Sequence, residues 1–232
     1  GIEDYGSRID FDYAMNSRHY IRFGANYTHH TFSPGATNLQ FSSGGFNLDT
    51  TLGSTNVYSD EVYAFLEDEW TIKENLKVNG GLHFANLFVE GESYHSLQPR
   101  FGMNYRLPGG YAFKASYADM MQFVNLLTNE GIGLPTDLWV PSTARIKPQT
   151  SQQIAAGLAK NIGPYEFSVE GYYKQMDNLV SYKEGASFLF SVDNDTWEDK
   201  ISQGSGESYG MELFAQRKTG QTTGWIGYTL SW

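Results

Sequence analysis

The chain contains no cysteine, so it has neither a disulfide framework nor a thiolate-bound metal centre. It has no run of about 18 apolar residues, which excludes a transmembrane helix. Basic residues are few, 16 Lys and Arg against 26 Asp and Glu, for a net charge of -10. They form no cluster, and this balance disfavours nucleic acid as a partner. Catalytic signatures are also missing. There is no Gly-x-Ser-x-Gly elbow. The stretch GSGES at 204–208 lacks the lysine and spacing of a phosphate loop. His29 and His30 are adjacent, so on a strand they point to opposite faces and do not share a metal. The sequence therefore predicts no enzyme, no cofactor and no metal site. The tripeptides starting at Asn26 and Asn194 match the glycosylation pattern by chance alone. From Gly1 onward no signal-peptide pattern is seen, which predicts a mature chain or a piece of a longer one.

What is present is alternation. Phe101, Met103, Tyr105 and Leu107 interleave with Arg100, Gly102, Asn104 and Arg106. A period of two puts one set on each face of a strand. The same pattern recurs about ten times, over roughly 2–15, 19–30, 57–72, 76–89, 100–107, 111–120, 150–162, 165–176, 206–218 and 225–232. Tight polar turns near 17, 74, 109, 163 and 221 fall on one side. Longer connections near 44, 93, 135 and 191 fall on the other. Short turns at one end and long loops at the other are what a transmembrane β-barrel shows. The mean hydropathy of -0.44 agrees, because only alternate barrel residues need be apolar. A soluble β-sandwich also alternates, but with less regular segregation of its connections.

Two residues fit the outward face poorly. Asp68 shares it with Val62, Ala64, Leu66 and Trp70, which predicts a place near the membrane edge. Lys160 shares it with Ile154, Leu158 and Ile162, close enough to a turn for its stem to snorkel. The aromatic fraction is 16%. Tyr13, Trp70, Tyr105, Tyr111, Tyr165 and Trp225 lie near the short turns; Tyr27, Tyr117, Tyr173 and Tyr209 lie nearer the long loops. Two girdles at two lipid–water boundaries are expected. On the inward face, Arg22, Arg100, Asn104, Lys114, Glu166, Glu170, Lys174 and Glu212 would pair across strands or meet a solute. Loop aromatics Trp139, Tyr182 and Trp197 are the ligand-contact candidates, with Phe123, Phe188 and Phe190 beside them. Packing of the loops on one another is the competing role.

Several segments together resemble one family. EVYAFLEDEW at 61–70 precedes LKVNGGLHFA, and LQPRFGMNYRLPGGYAFKASYADMMQ spans 97–122. GIGLPTDLWVPSTARIKPQTSQQIAAGL at 131–158, FSVEGYYKQMDNLVSYKEGASF at 167–188 and GESYGMELFAQRKTGQTTGWIGYTLSW at 206–232 follow. In order and spacing this set is similar to the barrel of TonB-dependent outer-membrane receptors of the Bacteroidetes type. The resemblance implies an all-β, antiparallel, up-and-down transmembrane barrel, of which 1–232 would be about ten strands of a larger whole. It implies uptake of an iron chelate, a corrinoid or a glycan across the bacterial outer membrane. The partners it implies are lipid and lipopolysaccharide, a plug domain and TonB reached through a missing N-terminal part, and a surface lipoprotein lid. No plug is visible in this stretch. A non-transport barrel (an adhesin or structural protein) and a soluble β-rich binding module stay open as alternatives.

Overall fold

In a computed structural model, residues 1–34, 56–127, 138–183 and 196–232 are described in full, and 37–43 and 46–52 by backbone alone. The strands in chain order are β1 (Ile2–Ala14), β2 (His19–Phe32), β3 (Thr37–Ser43), β4 (Phe46–Leu52), β5 (Val57–Lys73), β6 (Leu76–Val89) and β7 (Glu92–Leu107). They continue as β8 (Tyr111–Gln122), β9 (Val124–Leu127), β10 (Leu138–Pro141), β11 (Gln149–Ile162), β12 (Tyr165–Tyr182), β13 (Ile201–Arg217) and β14 (Gly224–Ser231). Ten of them form one antiparallel sheet in the order β1-β2-β5-β6-β7-β8-β11-β12-β13-β14. The pairs β3–β4 and β9–β10 are separate hairpins at the long-connection end.

Register makes the two faces continuous. Leu76, Tyr105, Phe113, Leu158, Val169, Leu213 and Tyr228 stand in one cross-strand row over seven strands. The row one residue along is Lys77, Asn104, Lys114, Gly157, Glu170, Glu212 and Thr229. The first is wholly apolar or aromatic, the second wholly polar or glycine. A one-residue slip in any strand would exchange the two, so the burial demand of each face fixes the register. The apolar face is open: Ile9, Phe11, Leu82, Ile154, Ile162 and Ile226 are all exposed. Water-soluble monomers seldom carry an apolar surface this continuous.

The height of the belt follows from the aromatics. Tyr165 and Tyr173 lie on the apolar face of β12, eight residues apart. At about 3.4 Å per residue and a barrel tilt near 40°, they differ by roughly 21 Å along the membrane normal. A barrel's apolar band is about 25 Å tall.

Both misfits on that face find partners at its short-turn edge. The Asp68 carboxylate sits 2.7 Å from His19 Nδ1, and the His19 ring stacks on Trp70 at 5.4 Å. Lys160 Nζ donates to the Gly109 carbonyl at 2.5 Å and lies 3.5 Å from the Tyr111 ring centroid.

Three expectations shift. The connection expected near 90–97 is the two-residue turn Glu90-Gly91, both at positive φ as a type I′ hairpin turn requires. Strands β12 and β13 run to Tyr182 and from Ile201, well into the segment expected to be loop. Trp225 pairs with Gln216 and stacks with Phe214, one position out of phase with outward Ile226. It therefore leaves the outward girdle for the inner face.

Candidate functional site: the inner face and its loop cover

The inner face is charged along most of its height. Arg22 pairs with Glu67 at 2.8 Å, Lys77 with Glu69 at 2.8 Å, and Glu166 with Lys218. The cross-strand pairing expected for Arg22 and Glu166 is thus present. Glu170 and Glu212 face one another directly across β12 and β13, a like-charge pair. His29 and His30 part to opposite faces. His29 Nδ1 meets Asp60 at 2.9 Å, while His30 bridges Asp4 at 2.7 Å and Glu61 at 3.3 Å. Among the described residues no group of three or more such side chains could hold a metal ion.

Toward the long connections the same face turns apolar. Phe32, Val57, Ala85, Leu87 and Val89 come from the sheet. Phe123, Leu127, Leu138, Val140, Ile146, Trp197 and Ile201 come down onto them from the loops and strand ends. Here lies the hydrophobic core of the described residues. The β9–β10 hairpin holds its base together: the Ser142 amide and hydroxyl both donate to the Phe123 carbonyl, at 2.7 and 3.1 Å. Tyr94 on β7 donates to the Thr143 carbonyl at 2.8 Å, tying the cover to the wall.

A second tie joins two loops. Trp197–Lys200 is one 3₁₀ turn, begun by a capping box in which Thr196 and Asp199 exchange hydrogen bonds. Arg145 reaches it, pairing with Glu198 at 3.3 Å and closely with Asp199. Thr143 Oγ1 donates to Glu198. The Arg145 guanidinium, with help from Thr196, holds the Asp199 carboxyl below the usual carboxylate range. Burial, reinforced by Glu198, pushes the Glu90 carboxyl up.

The loop aromatics divide accordingly. Trp197 is 7% exposed and Phe123 2%, so both are core. Tyr182 packs against that core from its edge. Trp139, at 41% exposure, offers its indole outward from β10. Phe188 and Phe190 lie outside the described residues.

The inner face holds several hollows; a lower one, of about 370 Å³, lies between Lys77, Asn104, Lys114 and Glu170, and two adjoin beneath the cover. One, of about 510 Å³, is lined by Arg8, Asp10, Asp12, Arg22 and Glu67. The other, of about 450 Å³, lies nearer the loops, with Gln98, Met120, Phe123, Lys174 and Met176 on its walls. His83 and Arg100 line both. Neither hollow is recoverable from alternation, because each depends on which rows of the sheet come side by side.

Comparison with known proteins points one way. A family profile described as "TonB dependent receptor-like, beta-barrel" matches residues 2–232. No curated protein matches. Among solved structures, the chain is similar to the FrpB iron transporter from Neisseria meningitidis, at 17% identity and a TM-score of 0.69, covering 99% of this chain and 36% of that one. It is similar to the siderophore receptor PirA from Pseudomonas aeruginosa, at 13% identity and 0.69, covering 99% and 43%. A mutant ferric enterobactin receptor, PfeA from Pseudomonas aeruginosa in complex with enterobactin, gives 14% identity and 0.67, covering 99% and 36%. The chain thus spans roughly two fifths or less of the solved structures it resembles, and at these identities the likeness is one of fold. With the profile match over nearly its whole length, the chain belongs to the TonB-dependent receptor-like β-barrel family.

Proposed function

We propose that this chain forms part of the wall and the outer mouth of an outer-membrane TonB-dependent receptor that takes up a nutrient. The observation that carries this is the pair of adjacent register rows: one apolar across seven strands, the next polar across the same seven. Such a wall meets hydrocarbon on one side and a wet lumen on the other. Loop cover at the long-connection end supports a ligand mouth there. In this reading the chain acts without catalysis. Its lipid-facing belt meets outer-membrane lipid and lipopolysaccharide. Its inner face meets a plug, which TonB works upon. The cargo is an iron chelate, a corrinoid or a glycan. A surface lipoprotein lid and a Bacteroidetes origin belong to the same proposal, on the sequence resemblance alone.

An uptake assay on a strain deleted for the gene tests it. Labelled iron chelates, corrinoids and glycans are offered in turn, and one class is expected to be lost on deletion and regained on complementation. Unchanged uptake of all three would end the receptor reading.

A further inference from the structure

We propose that the outward groove at the short-turn edge of β11 to β14 binds one phospholipid with a net negative headgroup. Its phosphate lies between Lys160 and Arg217, and an acyl chain lies along Ala215. This rests on the receptor reading, which puts the short turns on the periplasmic side and so sets this edge against the phospholipid leaflet.

Charge on the outward rows is sorted by height. Among the described residues, the outward carboxylates Glu3, Asp60, Asp119, Asp177 and Glu207 all stand toward the long connections. Asp68 alone stands near the short turns, and His19 matches it. Lysine and arginine show the reverse: Lys73, Lys160 and Arg217 all stand at the short-turn edge. Lys160 and Arg217 meet a carbonyl and a ring each, not a carboxylate. Lys160 contacts Gly109 and Tyr111; Arg217 Nε donates to the Thr219 carbonyl at 3.3 Å, with its guanidinium 5.8 Å from the Tyr165 ring centroid. An ammonium has three N–H donors and a guanidinium five, so both keep donors for a further acceptor. Glu166, on the inner face of the same edge, is held by Lys218. Two cations without a carboxylate partner stand out in a chain of net charge -10.

Register sets the two cations at the mouth of one groove. Lys160 lies opposite Phe167, Phe167 opposite Ala215, and Arg217 two residues beyond Ala215. Two strand spacings and two residues separate the cations, roughly 12 Å at the backbone. A phosphate set between them is within reach of both long side chains. Beside it is a groove of about 440 Å³, walled by Phe167, Leu213, Ile226 and Tyr228, with Ala215 the smallest of its outward side chains. Lys160 lines its near end. The groove thus joins a cationic end at the interface to an apolar length inside the belt, the same order of parts as a phospholipid. Both cations only donate, and no free carboxylate stands beside them to take an added ammonium. That selects a glycerol headgroup over an ethanolamine one.

The test uses the complete receptor carrying this chain, extracted from outer membranes and exchanged into lipid-free detergent. Phosphatidylglycerol, phosphatidylethanolamine and diacylglycerol are titrated in, and retained lipid is counted by native mass spectrometry. Phosphatidylglycerol is expected to bind about fivefold or more tightly than the other two. Lys160→Met and Arg217→Met should each weaken it about fivefold. Ala215→Trp, which fills the groove without altering charge, should also weaken it. Lys77→Met, which removes a cation from the inner face near the same edge, should leave binding within about twofold. Added inorganic phosphate should not displace the lipid. If a variant fails to assemble, as judged by heat-resistant migration in gels, the comparison of the three lipids on the unaltered receptor decides. Equal retention of the three lipids, equal retention in every variant, or displacement by inorganic phosphate would overturn the site. Lost lipid selectivity with intact deletion-dependent uptake removes only the site; selective binding with no deletion-dependent uptake removes only the receptor reading.

Discussion

Single side chains on the outward face show how the wall tolerates charge. Asp68 is legible from sequence as an intruder among Val62, Ala64, Leu66 and Trp70, but its partner is not. His19 is 49 positions away and reaches it only because β2 and β5 pair with Ile21 opposite Asp68. Replacing His19 by Leu leaves a carboxylate beside lipid with no donor. A loss of about 1–3 kcal/mol is expected, as for a buried group stripped of its partner. The double change His19→Leu with Asp68→Leu should restore most of it, since both polar groups then go together. Urea unfolding of the barrel in lipid vesicles reads both.

The same scale holds a pH prediction. Asp199 has its pKa depressed by Arg145 and Thr196, so its contribution is fully present above the unfolded value, 3.8, and is lost as pH falls through the lower folded value. Glu90 has a raised pKa, so its ionisation opposes folding above that value and ceases to do so as pH falls toward the unfolded value of 4.5. On acidification from neutrality, Glu90 therefore relaxes first, and the Arg145–Asp199 tie gives way only below the ordinary carboxylate range. Amide exchange in 196–203 should stay slow at pH 5 and accelerate in the wild type only on stronger acid. In Arg145→Ala it should already be fast at neutral pH.

Strands were legible where alternation was clean and illegible where it broke. All ten wall strands are visible in the sequence, because lipid on one side and polar lumen on the other impose a strict period of two. On β12 the period fails between Met176 and Leu179, where the register shifts at a bulge with Asn178 at φ 57°. Asn178 Nδ2 donates to the Pro148 carbonyl at 3.0 Å, so the bulge is tied to the chain entering β11. Beyond it, both faces of β12 and β13 leave the apolar band, and the stretch SQGSGES carries no greasy side to betray a strand. The hairpins β9–β10 and β3–β4 escaped notice because their strands, of four and seven residues, are too short to establish a period. Trp225 misled by type: a tryptophan beside a turn suggests a lipid boundary, yet parity with Ile226 already set it inward. One close approach in this region makes a further test. A Cβ on Gly210 would lie 2.5 Å from the Leu230 carbonyl and 2.9 Å from the Tyr172 ring. Gly210→Val is expected to cost about 1–3 kcal/mol through overpacking. The loss should appear as faster exchange along β13 and β14, with β5 and β6 unaffected.

For the molecule as a whole, the decisive property is the depth profile of the apolar belt. On β11, Leu158 lies four residues from Ile162, which is the last residue before the short turn. With the rise and tilt used above, that separation is roughly 10 Å along the membrane normal, near the middle of a band about 25 Å tall. An arginine at Leu158 would meet hydrocarbon on every side and should cost about 2–4 kcal/mol. At Ile162 it sits at the boundary, where the cost falls to about 0–1 kcal/mol. At Thr229 the side chain faces the lumen beside Glu212, so an arginine there should be neutral or mildly stabilising. The three variants, refolded into vesicles and unfolded in denaturant, give an ordered series if the belt lies in lipid. A buried aqueous core would instead penalise Leu158→Arg and Thr229→Arg without regard to depth. A free aqueous surface would penalise none of the three. Only a wall standing across a bilayer, greasy outside and wet within, makes the cost depend on both face and height.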